Sequence, residues 1–343
     1  MDKKIWIIGA ICLVVGVLLG VGVISAVNFF TKPINEPLAI QTTTPSETAE
    51  VEPEVEEEAD EVEEEAVVEE PTPEPETEKV CGHDGSLTIL LTGADATGGN
   101  PPYGADAIRV MKVDFSNQSV DVLTIPRDLV VQLNGIAPDN QGENAIGEAY
   151  WFEKEAIDGT DKEKVEKATN FLAQTLVDNF NLESNHYLTL QLDSIEAMVD
   201  AIGGVEIFLP TEIVSERDMV FPAGKQVLNG EQATEFLRTK LPGGDAARAD
   251  RQTLFLDASQ DQVLSTGTIV KAPELFEQFQ EAITTDLSPK LITDMVCLME
   301  KVTPASTKYY VIPNDMVSLD EETEKITIID EAGLLDFIGG IFD

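Results

Sequence analysis

Six arginines serve a chain of 343 residues that carries 64 acidic side chains and 22 basic ones. Two of the six, Arg248 and Arg251, lie three residues apart in "LPGGDAARADRQ", and Arg238 stands ten residues before Arg248. Asp245, after a Pro-Gly-Gly break, reads as a helix N-cap, which places both arginines in the first two turns. That end of a helix already carries partial positive charge, so cations there are disfavoured by a few tenths of a kcal/mol. A bound anion reverses the sign, and guanidinium forks match phosphate oxygens. The same residue types recur upstream, with acids at strand ends and arginine at a turn. Asp95 sits in "LTGAD", Asp106 in "YGADAIRV", and Arg127 with Asp128 in "TIPRD". Each has an ordinary reading alone: a strand-end salt bridge for Arg127 and Asp128, a turn residue for Asp95, a solvated helix face for Arg248 and Arg251. Together, in so acidic a chain, they point to an anion site.

Other chemistries find less support. The two histidines, His83 at the entry to the domain and His186 at the head of a strand, read as structural, which disfavours a Ser-His-Asp hydrolase. No Gly-rich Walker pattern occurs. Of three cysteines, Cys12 lies in an apolar run. Cys81 and Cys297 are free to bridge outside the cytoplasm, but Cys297 in "SPKLITDMVCLMEKV" reads equally as a buried helix residue. No cysteine spacing suits a metal.

The elements that must position these residues alternate. "SLTILLTG" (86–93) is an apolar strand ending in a Gly turn, and "AIRVMKVDF" and "SVDVLTIP" form a strand pair about Ser116-Asn117-Gln118. A helix covers 161–180, with Val165, Ala168, Leu172, Leu176 and Phe180 on one face. "HYLTLQL" is a strand, "SIEAMVDAIGG" a helix closed by Gly203, and "GVEIFLP" a strand. "NGEQATEFLRT" opens with Asn229 and Gln232 at capping-box spacing, a long helix follows Asp245, and "KYYVIP" (308–313) is a late strand. This order predicts an α/β fold with a mixed sheet and helices on both faces, and functional residues at strand ends and helix starts.

Ahead of residues 81–343 stand two segments of different composition. Ile5–Phe30 is 26 residues without charge, enough to span ~30 Å of hydrocarbon, and Lys3 and Lys4 before it place the N-terminal tail in the cytoplasm. The run is longer than an ordinary signal-peptide core and lacks a small-x-small cleavage site, so it reads as an uncleaved anchor. Residues 31–80 are rich in Glu, Pro, Thr and Val, with 17 acids between Glu47 and Glu78. That composition predicts a disordered, self-repelling spacer that lifts the domain off the membrane.

The set "GAD…GAD-A-I…IPRD", "NAIGEAY", "DAIGGVEI", "FPAGKQVLNGEQATEFLRTK" and "D-x-x-R-x-x-R-Q" resembles the LytR-CpsA-Psr family, in order and spacing, across roughly 87–260. The resemblance implies an α-β-α sandwich outside the cell membrane. It also implies transfer of a glycopolymer from a polyprenyl-pyrophosphate carrier to a cell-wall hydroxyl, usually of peptidoglycan, with a divalent cation such as Mg²⁺. Residue by residue, Asp95 and Asp106 match the metal-associated acids, and either is a candidate to take the acceptor's proton. Arg127, Arg238, Lys240, Arg248, Arg251 and Gln252 match positions that hold the pyrophosphate. Two departures stand out. The family often has Arg-Ser-Asp where this chain has Gly104-Ala105-Asp106, and Lys240 replaces a second arginine. Arg109, three residues after Asp106, is a candidate to compensate for the missing arginine. The departures keep two rivals in view: a polyprenyl-pyrophosphate hydrolase, and a non-catalytic lipid-phosphate-binding regulator of the cell envelope.

Overall fold

Burial along Ser86–Ala94 alternates between two different cores, the mark of a strand covered on both faces. Leu90 packs into one apolar cluster and Ile89 into the other. This strand, β1, lies at the centre of the protein in a computed structural model. The structure describes residues 31–40, 80–94, 104–191, 194–239, 282–320, 322–323 and 325–342, with Arg251, Leu254, Phe255, Ala258 and Phe279.

In chain order the strands are β2 (Ala105–Asp114), β3 (Ser119–Ile125), β4 (Val130–Asn134), β5 (Gln141–Ala145), β6 (His186–Gln191) and β7 (Val205–Leu209). They continue with β8 (Ile213–Val214), β9 (Val220–Phe221), β10 (Gly224–Leu228), β11 (Ile283–Thr285), β12 (Thr307–Val311), β13 (Val317–Leu319) and β14 (Ile326–Ile328). The helices are α1 (Ile146–Ala156), α2 (Asp161–Phe180), α3 (Ile195–Ala201), α4 (Gly230–Arg238), α5 (Pro289–Met299) and α6 (Glu331–Phe342). Six strands form the main sheet in the order β11-β6-β1-β2-β3-β12. β1 pairs antiparallel with β2 and parallel with β6, and β12 pairs parallel with β3, so the sheet is mixed.

Helices cover both faces, as the order of elements predicts. On one, Leu90, Ile108, Val110, Leu123, Ile125 and Tyr187 meet residues of α1, α2 and α6. On the other, Ile89 and Val113 meet Leu291 and Leu298 of α5. A third core joins β7, β9 and β10 to α3, α4 and Phe255. Helix α2 spans the residues foreseen from periodicity and buries Val165, Ala168, Leu172, Leu176 and Phe180. It is fixed by a Thr160–Glu163 capping box and by Asn181 in the left-handed conformation, φ 51°, as helix ends favour. Cys81 and Cys297 are bridged, with Cα atoms 5.8 Å apart, which resolves the alternatives their spacing left open. The bridge ties the entry of the domain to α5.

The composition-based spacer begins at Thr31, but residues 35–40 lie against this body. Asn35 Nδ2 donates to Thr285 O at 2.8 Å, and Ala39 N–H donates to Asn170 Oδ1 at 3.0 Å. Leu38 and Ile40 pack on the α1–α2 core. These two apolar residues precede the acidic run, so the averaged composition of 31–80 conceals them. The expected transmembrane helix Ile5–Phe30 and the acidic tract proper lie outside the described residues. Among the described residues no helix is long and apolar enough to cross a membrane.

Candidate functional site

Strand β2 runs in register with β1 until a bulge at Gly93/Ala94, where Gly93 faces Ala107 and Ala94 faces Ala105. Asp106 is the residue left over, and bulges at sheet rims re-aim side chains. Nearby, β3 ends at Ile125 and Pro126 opens a tight turn, closed by the Leu129 N–H donating to Pro126 O at 3.1 Å. From this turn Arg127 sends Nη1 to Asp106 Oδ1 at 2.5 Å and Nε to Asp128 Oδ2 at 3.4 Å. The side chains of Arg127, Asp106 and Asp128 are 15%, 20% and 21% exposed. They are sheltered enough to strengthen the charge interactions yet open to a ligand. Two of the residues singled out by type thus meet at a strand end.

The backbone of the turn is clamped as well. Gly147 N–H donates to Arg127 O at 2.8 Å, Ile146 N–H to Leu129 O at 2.9 Å and Ile326 N–H to Asp128 O at 2.9 Å. The first amides of α1 therefore hold the arginine turn. Only glycine permits this approach: a Cβ on Gly147 would lie 2.8 Å from Arg127 Cβ and 2.9 Å from Ala105 O. A Cβ on Gly104 would lie 1.9 Å from Gly147 O. Gly104 stands where the resembling family often has arginine, so its lack of a side chain is part of how α1 seats here. In the sequence, "NAIGEAY" shows no task for Gly147; its only signal is a glycine, a residue that tolerates close backbone approach, at the start of a helix.

A second arginine group gathers at the end of α4. Asn229 and Gln232 form the capping box expected from their spacing. Arg238, in the last turn, is exposed, where a cation suits the helix dipole. Arg251 is helical and 7% exposed, and its guanidinium donates to the carbonyl of Thr239. Thr239 Oγ1 in turn donates to Glu235 O at 2.7 Å. Arg251 thereby satisfies a carbonyl past the end of α4, of the kind helix termini leave without a helical partner. It braces the fold beside Arg238, a role its reading as a ligand-facing cation did not include. Arg109 is 5% exposed. Strand alternation sets it with Leu91 and Met111 on the α5 side of the sheet, away from the Ile108 face. Asp95, Lys240, Arg248, Gln252 and the Asp245 cap lie outside the described residues.

Both histidines have carboxylate partners, as structural roles predict. His83 Nε2 lies 3.0 Å from Asp294 Oδ2, and His186 Nδ1 lies 3.1 Å from the buried Asp286 Oδ2. Among the described residues no group of three or more His, Cys, Asp and Glu is placed to hold a metal. Asp106 fits as a single hard-oxygen ligand, which suits Mg²⁺, since that ion takes one or two carboxylates with water and phosphate.

The polyisoprenyl-teichoic acid–peptidoglycan teichoic acid transferase TagU of Oceanobacillus iheyensis is 26% identical over 245 residues, 71% of this chain and 69% of that protein. The transferase TagV of Bacillus subtilis is 30% identical over 192 residues, 53% of this chain and 45% of that protein. The crystal structure of B. subtilis TagV shares the fold, with a TM-score of 0.59 at 21% identity over 75% of this chain and 95% of that one. The LytR_cpsA_psr family model matches residues 46–331. That match covers well over half of the chain, which therefore belongs to the LytR_cpsA_psr family.

Proposed function

We propose that the chain is a membrane-anchored phosphotransferase that moves a glycopolymer from a polyprenyl-pyrophosphate carrier to a cell-wall hydroxyl, in the manner of the teichoic acid transferases it resembles. Ile5–Phe30 is the anchor in this reading, with the N-terminus cytoplasmic and the domain outside. The observation that carries the proposal is the Asp106–Arg127 pair, held at a strand end by the first amides of α1.

Phosphoryl transfer asks the protein for position and charge stabilisation more than for covalent chemistry. Arg127 is oriented before the substrate arrives, so it need not reorganise as charge grows on the departing phosphate. Asp95 or Asp106 takes the proton of the acceptor hydroxyl. The acceptor oxygen bonds to the glycan-bearing phosphorus, the bridging P–O bond breaks, and the polyprenyl monophosphate leaves with its electron pair. Arg238 and Arg248, with Lys240 and Gln252, complete the pyrophosphate cradle, and Arg251 supports it from the end of α4. A divalent cation, Mg²⁺ for example, held by Asp95 and Asp106 would neutralise phosphate oxygens.

The test is to give the full chain in detergent a labelled lipid-pyrophosphate glycan together with peptidoglycan. Label covalently joined to peptidoglycan, lost in Arg127→Gln, is the expected result. Release of free glycan phosphate with no joined product would assign the chain to hydrolysis instead, and binding without turnover to a regulatory role.

A further inference from the structure

The segment just after the expected anchor is built into the domain at several points. Besides the bonds of Asn35 and Ala39, the hydroxyl of Tyr187 donates to Glu36 O at 3.4 Å. Tyr187 belongs to β6 and is fully buried, so residue 36 covers a core side chain. Burial, with Glu36 beside it, pushes the Glu166 carboxyl on α2 above the ordinary carboxylate range. At the far end of the acidic tract, Val80 packs against the α5-side core and Cys81 is bridged to Cys297. Residues 40 and 80 are thus fixed to one body, the half-buried Ile40 against the core on one sheet face and the half-buried Val80 against the core on the other.

Chain length decides what this means. A free spacer over 31–79 would reach up to roughly 160 Å when fully extended. With Asn35 docked, only residues 31–34 separate Phe30 from the domain, a reach of about 17 Å. We infer that residues 35–40 are a clasp seating the domain at the bilayer surface, so that residues 31–34 and not the acidic run set its distance from the membrane. The inference rests on Ile5–Phe30 being the anchor. It also gives the proposed chemistry a reason for the clasp: a lipid-borne pyrophosphate stays near the headgroups, and a domain lifted into the wall would lose reach of it.

Two measurements on the full chain test it. In a Cys12→Ser background, Ala39→Cys paired with Asn170→Cys should form a disulfide at least about tenfold faster than Ala39→Cys paired with Asp336→Cys on α6, the proximity effect of a docked segment. Equal rates would overturn the clasp. Separately, duplicating residues 47–78 should leave energy transfer between a dye on the domain and a headgroup acceptor in vesicles unchanged. A marked fall would restore the spacer reading. A chain that does not sediment with vesicles would sink the anchored reading and the membrane seat with it, while the bridging rates still report whether the segment docks.

Discussion

Arg127 is held at both ends, its guanidinium between Asp106 and Asp128 and its carbonyl by Gly147. Arg127→Lys keeps the charge but loses the planar fork. It should lower turnover about 10- to 100-fold, matching the ~1.5–3 kcal/mol of a charge-assisted bond, with an unchanged thermal melt. Normal turnover in this variant would remove Arg127 from the site. Gly104→Arg restores the arginine common in the family, yet it has no room beside Gly147 O. It should reduce stability by about 1–3 kcal/mol or more, as overpacking does, seen as a lower urea midpoint with no gain in activity. The arginines stood out in the sequence because they are scarce and grouped. Neither "YGAD" nor "NAIGEAY" disclosed the task of its glycine, Gly104 or Gly147, because close backbone approach depends on elements distant in sequence.

At the scale of elements, the readings that held are those with a strong local signal. Helix α2 follows from five apolar residues on one face, and α4 from a capping box with both arms formed. Asn229→Ala should cost about 1 kcal/mol in a denaturant titration, and little change would mean the α4 start is held by packing alone. What sequence left open came from pairing at a distance. The bridge between Leu129 and Ile326 depends on a partner far along the chain. The Cys81–Cys297 bridge closes 216 residues, and on the chain-entropy account such a loop contributes about 5 kcal/mol. Replacing both cysteines with serine should lower stability by about 2–5 kcal/mol, and a melt insensitive to reductant would deny the bridge that role.

Across the whole molecule, two apolar cores cover the faces of one mixed sheet, a third lies among β7, β9, β10, α3 and α4, and the arginine turn sits at the rim of the mixed sheet where α1 begins. Alternation of strands and helices made this class readable. The clasp was not readable, since a few apolar residues beside a long acidic run vanish in average composition. The account stands or falls on whether the Arg127 rim receives a lipid pyrophosphate. Binding of a short-chain polyprenyl pyrophosphate to wild type and to Arg127→Gln, with melts of both, measures this directly. A loss of about one to two orders of magnitude in affinity is expected in a variant that still melts cooperatively, at a somewhat lower temperature because Asp106 and Asp128 lose their partner; equal affinities would contradict the proposed site.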